Sequence, residues 1–251
     1  MAMIVPKLLR TFSEWTEDRP GFVEVDLAAH DGGQPGADVI QTLDLTDVCT
    51  GWTETQAVRN KAQVWVFRAL QERSARLPFV LLGLDSDNGS EFINAHLVRF
   101  CAQEEITFTR SRPYRKNDSC FVEQKNYSVV RKAVGYARYD TPQELAVLNE
   151  LYAYLRLYTN YFQPVMKLVE KRRVGSRVQK RYDWAQTPYQ QLRESLDGAA
   201  QVRLEQEYRG LNPVELKRQM ERREERLSEL VRWKREARSA VKTRGLEYIF
   251  S

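Results

Sequence analysis

The chain has 251 residues, 42% of them hydrophobic, enough for one large domain, or one domain with an appendage, around a real core. Its 39 Lys and Arg against 34 Asp and Glu give a net charge of +5 and a pI near 9.1, which suits a polyanionic partner without demanding one. Three cysteines outside any CxxC pair and two histidines argue against a disulfide framework, a zinc site or a histidine cage, and no membrane-length apolar run or signal peptide is visible, so a reducing, cytoplasmic setting is expected.

Residues 1–11 read as a linker, and Thr11 to Trp15 lead into a domain. Gly21 to Leu27 alternates apolar and polar residues, the mark of a half-buried strand, and Asp26 is its last acid. His30-Asp31-Gly32-Gly33 is a loop. Val39 to Val48 reads as a second strand carrying Asp44 and Asp47, Thr50-Gly51-Trp52 as a turn, and Thr53 to Val58 as a third strand. From Asn60 to Leu77 the residues Ala62, Val66, Ala69 and Leu70 fall on one helical stripe. Phe79 to Leu84, entered through Pro78, reads as a buried strand, and Asn88-Gly89 turns the chain after it. Asp87 therefore stands where a core strand ends and a loop begins, the place where open α/β sheets bind ligands.

Glu91 to Glu105 reads as a helix with Phe92, Ala95 and Val98 on its buried side, joined by Phe100 and Cys101, and Ile106 to Thr109 as a fifth strand. The loop from Arg110 to Asp118 sets Arg110, Arg112, Arg115 and Lys116 around Tyr114. It is either a solvated basic loop or a phosphate clamp, and its place just before Glu123 favours the clamp. Cys120 to Tyr136 reads as the helix that presents Glu123, with thirty-five residues between it and Asp87. Thr141-Pro142-Gln143-Glu144 starts another helix through a capping box, with Leu145, Leu148, Leu151, Tyr152, Leu155 and Tyr158 on its apolar face. Lys167 to Tyr182 is strongly basic and interrupted by Val174-Gly175-Ser176: a solvated charge run, or an extended arm able to touch DNA. Residues 199–243 are rich in Glu and Arg, with Leu216, Met220, Leu227 and Val231 at loose helical spacing. The broken heptad argues against a long coiled coil and for one or two helices packed on a partner or on the core.

Several of these stretches stand together in a familiar order. Asp87-Asn88-Gly89-x-Glu91-Phe92, Arg110-Ser111-Arg112-Pro113-Tyr114, Asn117-Asp118 and Val122-Glu123-Gln124-Lys125-Asn126 resemble the integrase core of bacterial insertion-sequence transposases. These are Asp-Asp-Glu recombinases related to retroviral integrases, and the resemblance covers roughly residues 12–190. It implies an α/β, RNase H-like catalytic core over residues 12–140, with a mixed five-stranded sheet flanked by helices. A helix and basic arm over 141–190 and a charged helical C-terminal extension over 191–251 would follow. Asp26, Asp87 and Glu123 match the family's catalytic acids, which hold two Mg2+ (or Mn2+) ions. In-line displacement at phosphorus puts charge on the attacking and leaving oxygens, and two divalent ions about 3.5–4 Å apart stabilise both.

The function so implied is a DNA recombinase that cleaves phosphodiesters and transfers strands in DNA integration or transposition. Arg110, Arg112, Tyr114, Arg115, Lys116, Lys125, Lys171, Arg172 and Arg173 are the expected DNA contacts. DNA ends and target are the expected partners, with a homo-oligomer assembled on DNA in the cytoplasm and no membrane. Asp47 is expected to bond the turn at Thr50 and Gly51, with neither Asp44 nor Asp47 on metal. Asp85 and Glu91 are also expected off the metal: Asp85 would share a strand face with Asp87 but sit deeper, and Glu91 begins the next helix. Family members carry a helical DNA-binding region ahead of the core, for which the sequence shows no room. A fragment of a longer protein, or one that has lost that region, is expected. The alternatives in function are a non-catalytic DNA-binding remnant and a metal-dependent nuclease on the same fold.

Overall fold

The computed structural model describes residues 19–34, 38–86, 92, 95–110 and 120–247. Strands β1 (Phe22–Ala29), β2 (Gln41–Asp47), β3 (Thr53–Val58), β4 (Gly83–Ser86) and β5 (Thr107–Arg110) form one sheet in the order β3-β2-β1-β4-β5. β1 and β2, and β2 and β3, pair antiparallel; β1 and β4, and β4 and β5, pair parallel. With helices packed against it, this is the mixed RNase H-like α/β sheet expected from the sequence.

Alternation along β1 gives the sheet two unlike faces. Val23 and Val25 join Leu43, Leu45, Leu84 and Phe108 in a core closed by Val66, Ala69 and Leu70 of α1 (Gln63–Ser74) and Leu97 and Cys101 of α2 (Ala95–Gln103). The stripe read on α1 is thus the buried one; on α2 Cys101 is buried as expected, but Leu97 is buried where Val98 was expected, and Val98 is only half-buried. On the opposite face Glu24 and Asp26 alternate with those valines. Asp26 lies across from Asp44, and Glu24 beside Asp85. One face is apolar, while the middle of the other carries four carboxyl groups.

The fourth strand begins later than its apolar run. Parallel pairing can start only where β1 starts, and the register sets Phe22 against Gly83. A side chain at position 83 would meet the Phe22 ring at 2.5 Å, so a glycine is required there. Phe79 and Leu81 still pack against the first core, outside the strand.

The helix over Glu123 is also subdivided. α3 (Cys120–Lys125) continues through a π-helical stretch (Asn126–Arg131) into α4 (Lys132–Val134). α5 (Pro142–Phe162) starts at the expected capping box: Thr141 Oγ1 accepts from Glu144 N and Glu144 Oε2 accepts from Thr141 N. Leu148, Leu151, Tyr152 and Leu155 of α5 cover Ala28, Ile40 and Ala57 together with Val129, Val130 and Val134.

The basic segment expected as an extended arm is an antiparallel hairpin, β6 (Leu168–Val174) and β7 (Arg177–Tyr182). Its turn falls on Val174-Gly175-Ser176, with Gly175 at φ +63°. After α6 (Pro188–Arg193) and α7 (Gly198–Arg209), α8 (Pro213–Glu247) returns to the core through Met220, Leu227 and Val231. Among the described residues, no helix is long and apolar enough to cross a membrane.

Candidate active site

The acidic face of the sheet is covered by α3, and two hydrogen bonds fix where that helix lies. Glu24 Oε2 accepts from the backbone amide of Val122 at 2.9 Å. Asp26 Oδ2 accepts from Asn126 Nδ2 at 2.6 Å. The first satisfies a free N–H in the first turn of α3, where the helix dipole also favours a carboxylate. Two residues of strand span about 6.7 Å and four of helix about 6 Å, so the two bonds match and hold α3 alongside β1. Farther on, an Arg131 guanidinium N–H donates to Ala29 O at 2.7 Å.

Glu123 is exposed, one turn before Asn126. Residues three apart are neighbours on a helix surface. Asn126, bonded to Asp26 and neighbouring Glu123, therefore links the first and third acids of the expected triad. Asp26 is half-buried, and its Oδ1 accepts from Leu27 N at 2.7 Å. Strand β4, adjacent to β1, is described as far as Ser86, which pairs with Val25. Asp87, the next residue, lies outside the described residues. So do Glu91 and the loop with Arg112, Tyr114, Arg115 and Lys116; Arg110 closes β5.

The neighbouring acids are held by the protein itself. Asp85 is buried, and its Oδ1 accepts from Thr109 Oγ1 at 2.5 Å. Asp47 Oδ1 accepts from Gly21 N at 2.8 Å; its Oδ2 accepts from Thr50 N at 2.8 Å and Thr50 Oγ1 at 2.7 Å. Gly51 N donates to the Asp47 carbonyl at 2.8 Å. Burial pushes the Asp47 pKa up, against those bonds. The turn expected of Asp47 is therefore present.

Asp44 and Lys125 escaped the sequence reading as a pair. Asp44 is fully buried, which drives its pKa up to about 8; Lys125 opposes the rise and Asp26 adds to it. Lys125, expected on DNA, is only 8% exposed. Burial lowers its pKa to about 8 while the Asp44 charge raises it. Its charge faces the acidic layer under α3. A charged residue two positions after Glu123 reads as surface from the sequence, and nothing local points to Asp44. Among the described residues, no group of three His, Cys, Asp or Glu side chains is placed to hold a metal.

Of the other expected contacts, Arg172 and Arg173 are exposed on β6, where Lys171 also lies. His30 is structural: its Nε2 bonds Thr42 Oγ1 at 2.7 Å, its ring meets Tyr139 edge-on, and burial lowers its pKa to about 3.

No family model matches the chain. It is 47% identical over 174 residues to the protein y4rM of Sinorhizobium fredii (strain NBRC 101917 / NGR234), described as uncharacterized; the match takes in 69% of this chain and 50% of that protein. The chain thus spans about half the length of this curated relative. Among solved structures it is similar to a chain of the simian T-cell lymphotropic virus intasome in complex with PP2A regulatory subunit B56 gamma. There the TM-score is 0.48 at 14% identity, over 62% of this chain and 52% of that one. It is similar to the HTLV-2 integrase catalytic core domain in complex with magnesium, in its dimeric form, with TM-score 0.45 at 13% identity, over 60% of this chain and 93% of that one. It is also similar to the catalytic core domain of BIV integrase, with TM-score 0.47 at 16% identity, over 70% of this chain and 95% of that one.

Proposed function

We propose that the chain is a metal-dependent DNA strand-transfer enzyme of the Asp-Asp-Glu class, with Asp26, Asp87 and Glu123 as its acids. The observation that carries this reading is the Asn126–Asp26 hydrogen bond, which joins the strand of the first acid to the helix of the third. The β1–β4 register supports it: Val25 pairs with Ser86, and Asp26 and Asp87 are the residues that follow these two in the sequence.

The donor set fits a hard divalent cation. Carboxylate oxygens are the ligands Mg2+ and Mn2+ take, and a site of a few carboxylates leaves room for the waters Mg2+ keeps. Asp26 is half-buried and Glu123 exposed, whereas Asp47 and Asp85 are buried. Such ions supply charge stabilisation at the attacking and leaving oxygens of a phosphodiester. The protein's own part is to hold the acids in place, to brace Asp26 through Asn126, and to offset their repulsion for DNA with nearby cations. The expected partners remain duplex DNA and further copies of the chain bound to it.

The test is a strand-transfer assay with pre-cut DNA ends in Mg2+ or Mn2+, with Asp26→Asn, Asp87→Asn and Glu123→Gln as controls. Joining that each substitution abolishes supports the proposal. Nicking without joining indicates a nuclease, and binding without either a non-catalytic DNA-binding protein.

A further inference from the structure

The positive excess of the whole chain is concentrated in the β6–β7 ribbon. Residues 167–182 hold seven of the 39 Lys and Arg and one of the 34 acids, a net charge of +6 on sixteen residues. The chain as a whole carries +5, so everything outside the ribbon is net −1. General basicity therefore says little about the catalytic domain and much about this one element.

The ribbon also lacks the burial that an ordinary hairpin has. All six residues of β7 are exposed, and Val169, Arg172 and Arg173 of β6 are exposed as well. The register sets Arg172 opposite Gln179, Arg173 opposite Val178, Val174 opposite Arg177 and Glu170 opposite Arg181. With side chains alternating along each strand, Arg172, Arg177 and Arg181 share one face. Arg173 and Lys180 share the other, with Val178 and Tyr182. Both faces are thus basic. A hairpin resting on its own domain, or on one flat partner, needs cations on one face at most.

Cations on both faces fit a partner with phosphates on both sides. The major groove of B-DNA is about 12 Å wide, admits a two-stranded β-ribbon and is walled by phosphates. An isolated two-stranded hairpin is marginal in water, and mutual repulsion among its cations weakens it further. A polyanion around it removes that repulsion.

The ribbon's root is fixed beside the candidate active site. Val165 and Gln186 exchange backbone hydrogen bonds of 2.8 and 3.1 Å, and Lys167 N donates to Asp183 Oδ1 at 2.6 Å. A Cβ on Gly51 would stand 3.6 Å from Val165 Cγ2 and 3.9 Å from Lys125 Nζ. The root and the helix that carries Glu123 therefore meet over one glycine.

We propose that the β6–β7 ribbon is a DNA-binding wing that enters the major groove of duplex DNA beside the site of strand transfer, its two basic faces taking phosphates from both groove walls. The wing rests on the strand-transfer reading and adds to it how the duplex is gripped and on which side of the site.

The experiment uses the full chain and a DNA duplex, and reads affinity across a salt series together with methylation protection at guanine N7, a major-groove atom. One variant carries Ala at Arg172, Arg173, Arg177, Lys180 and Arg181; a second carries the single charge reversal Arg177→Glu; a third is Asp26→Asn. The five-alanine variant should keep the wild-type unfolding temperature, lose the N7 protection, and flatten its log affinity against log salt slope by about 0.9 for each phosphate no longer neutralised. Arg177→Glu should weaken binding in the same direction. Asp26→Asn should keep the protection and lose strand joining. An unchanged slope and footprint in the five-alanine variant overturns the wing while leaving strand transfer standing. Intact protection without joining by the wild type overturns strand transfer and leaves the wing. Protection confined to the minor groove, preference for RNA, or loss of self-association in place of DNA binding also overturns the wing.

Discussion

Asn126 donates to Asp26 Oδ2 at 2.6 Å across a hundred residues of sequence, at the point where the α-helix over the sheet widens into a π-helix. Single π turns inside α-helices recur at functional sites. The amide takes one lone pair of the carboxylate and orients it for the cation proposed above. Outer hydrogen-bond partners of metal ligands typically matter about 10–100-fold in affinity or activity. Asn126→Ala should reduce strand joining by a factor in that range and raise the Mg2+ concentration needed, with little change in unfolding temperature. Asn126→Asp should be worse, because it sets a like charge against Asp26. A metal titration of joining checks both; an unaltered Mg2+ requirement in the alanine variant removes the bracing role.

Asp85 provides the contrast. It is a buried acid bonded to Thr109, on the same sheet face as Asp26 but one pair deeper, beside Glu24. Disturbing a buried hydrogen-bonded group costs roughly 1–3 kcal/mol. Asp85→Asn should therefore lower stability in urea while preserving joining per folded molecule. Asp87→Asn and Glu123→Gln should do the reverse. Equal loss of joining in Asp85→Asn, with the fold intact, would place Asp85 on the metal.

What the sequence disclosed depended on how local the determining physics is. Strand β1 was legible because Glu24 and Asp26 alternate with Val23 and Val25, and α5 because Thr141 and Glu144 cap it within one turn. Strand β4 was placed too early because an apolar run marks burial, whereas the strand begins where Gly83 finds Phe22. The hairpin read as an extended arm because its charges hide the β-branched Val169, Val174 and Val178, although the Gly175 turn stood in view. Lys125 read as surface because its partner Asp44 lies on another strand, and the glutamate that caps α3, Glu24, is equally remote.

The Lys125–Asp44 relationship predicts a coupling in stability. Burial pushes the two pKa values toward each other, to about 8 in both cases, and each charge opposes the shift of the other. Removing one member withdraws the charge that favours the ionised form of the other, and the remaining group is left buried with less to offset its desolvation. Lys125→Met and Asp44→Asn should each destabilise the fold. The double variant should be more stable than the sum of the two effects implies, by on the order of 1 kcal/mol. Urea unfolding of the four proteins closes the cycle. Additive effects, with Lys125→Met folding normally but binding DNA less well, would return Lys125 to the DNA surface.

The attachment of α8 should depend on acid pH through Asp140. This carboxylate meets Arg138 Nε at 2.7 Å, Lys234 Nζ at 2.9 Å and an Arg238 guanidinium nitrogen at 3.0 Å; Lys234 also bonds Glu144 at 2.6 Å, tying α8 to the cap of α5. Burial works to raise the Asp140 pKa, but Lys234, Arg138 and Arg238 together hold it down to about 2, below its ordinary 3.8. A group whose pKa is depressed in the folded state stabilises that state above its unfolded pKa and loses the contribution as pH falls through the folded one. The contribution is therefore complete above about pH 4 and disappears toward about pH 2. Screening by solvent keeps it near 1 kcal/mol. Asp140→Asn should unfold at lower urea than the wild type at neutral pH, and that gap should close between pH 4 and 2. The comparison with the variant cancels the other carboxylates that titrate in the same range. A gap that stays constant down to pH 2 would mean that the Asp140 charge does not hold α8 to the core.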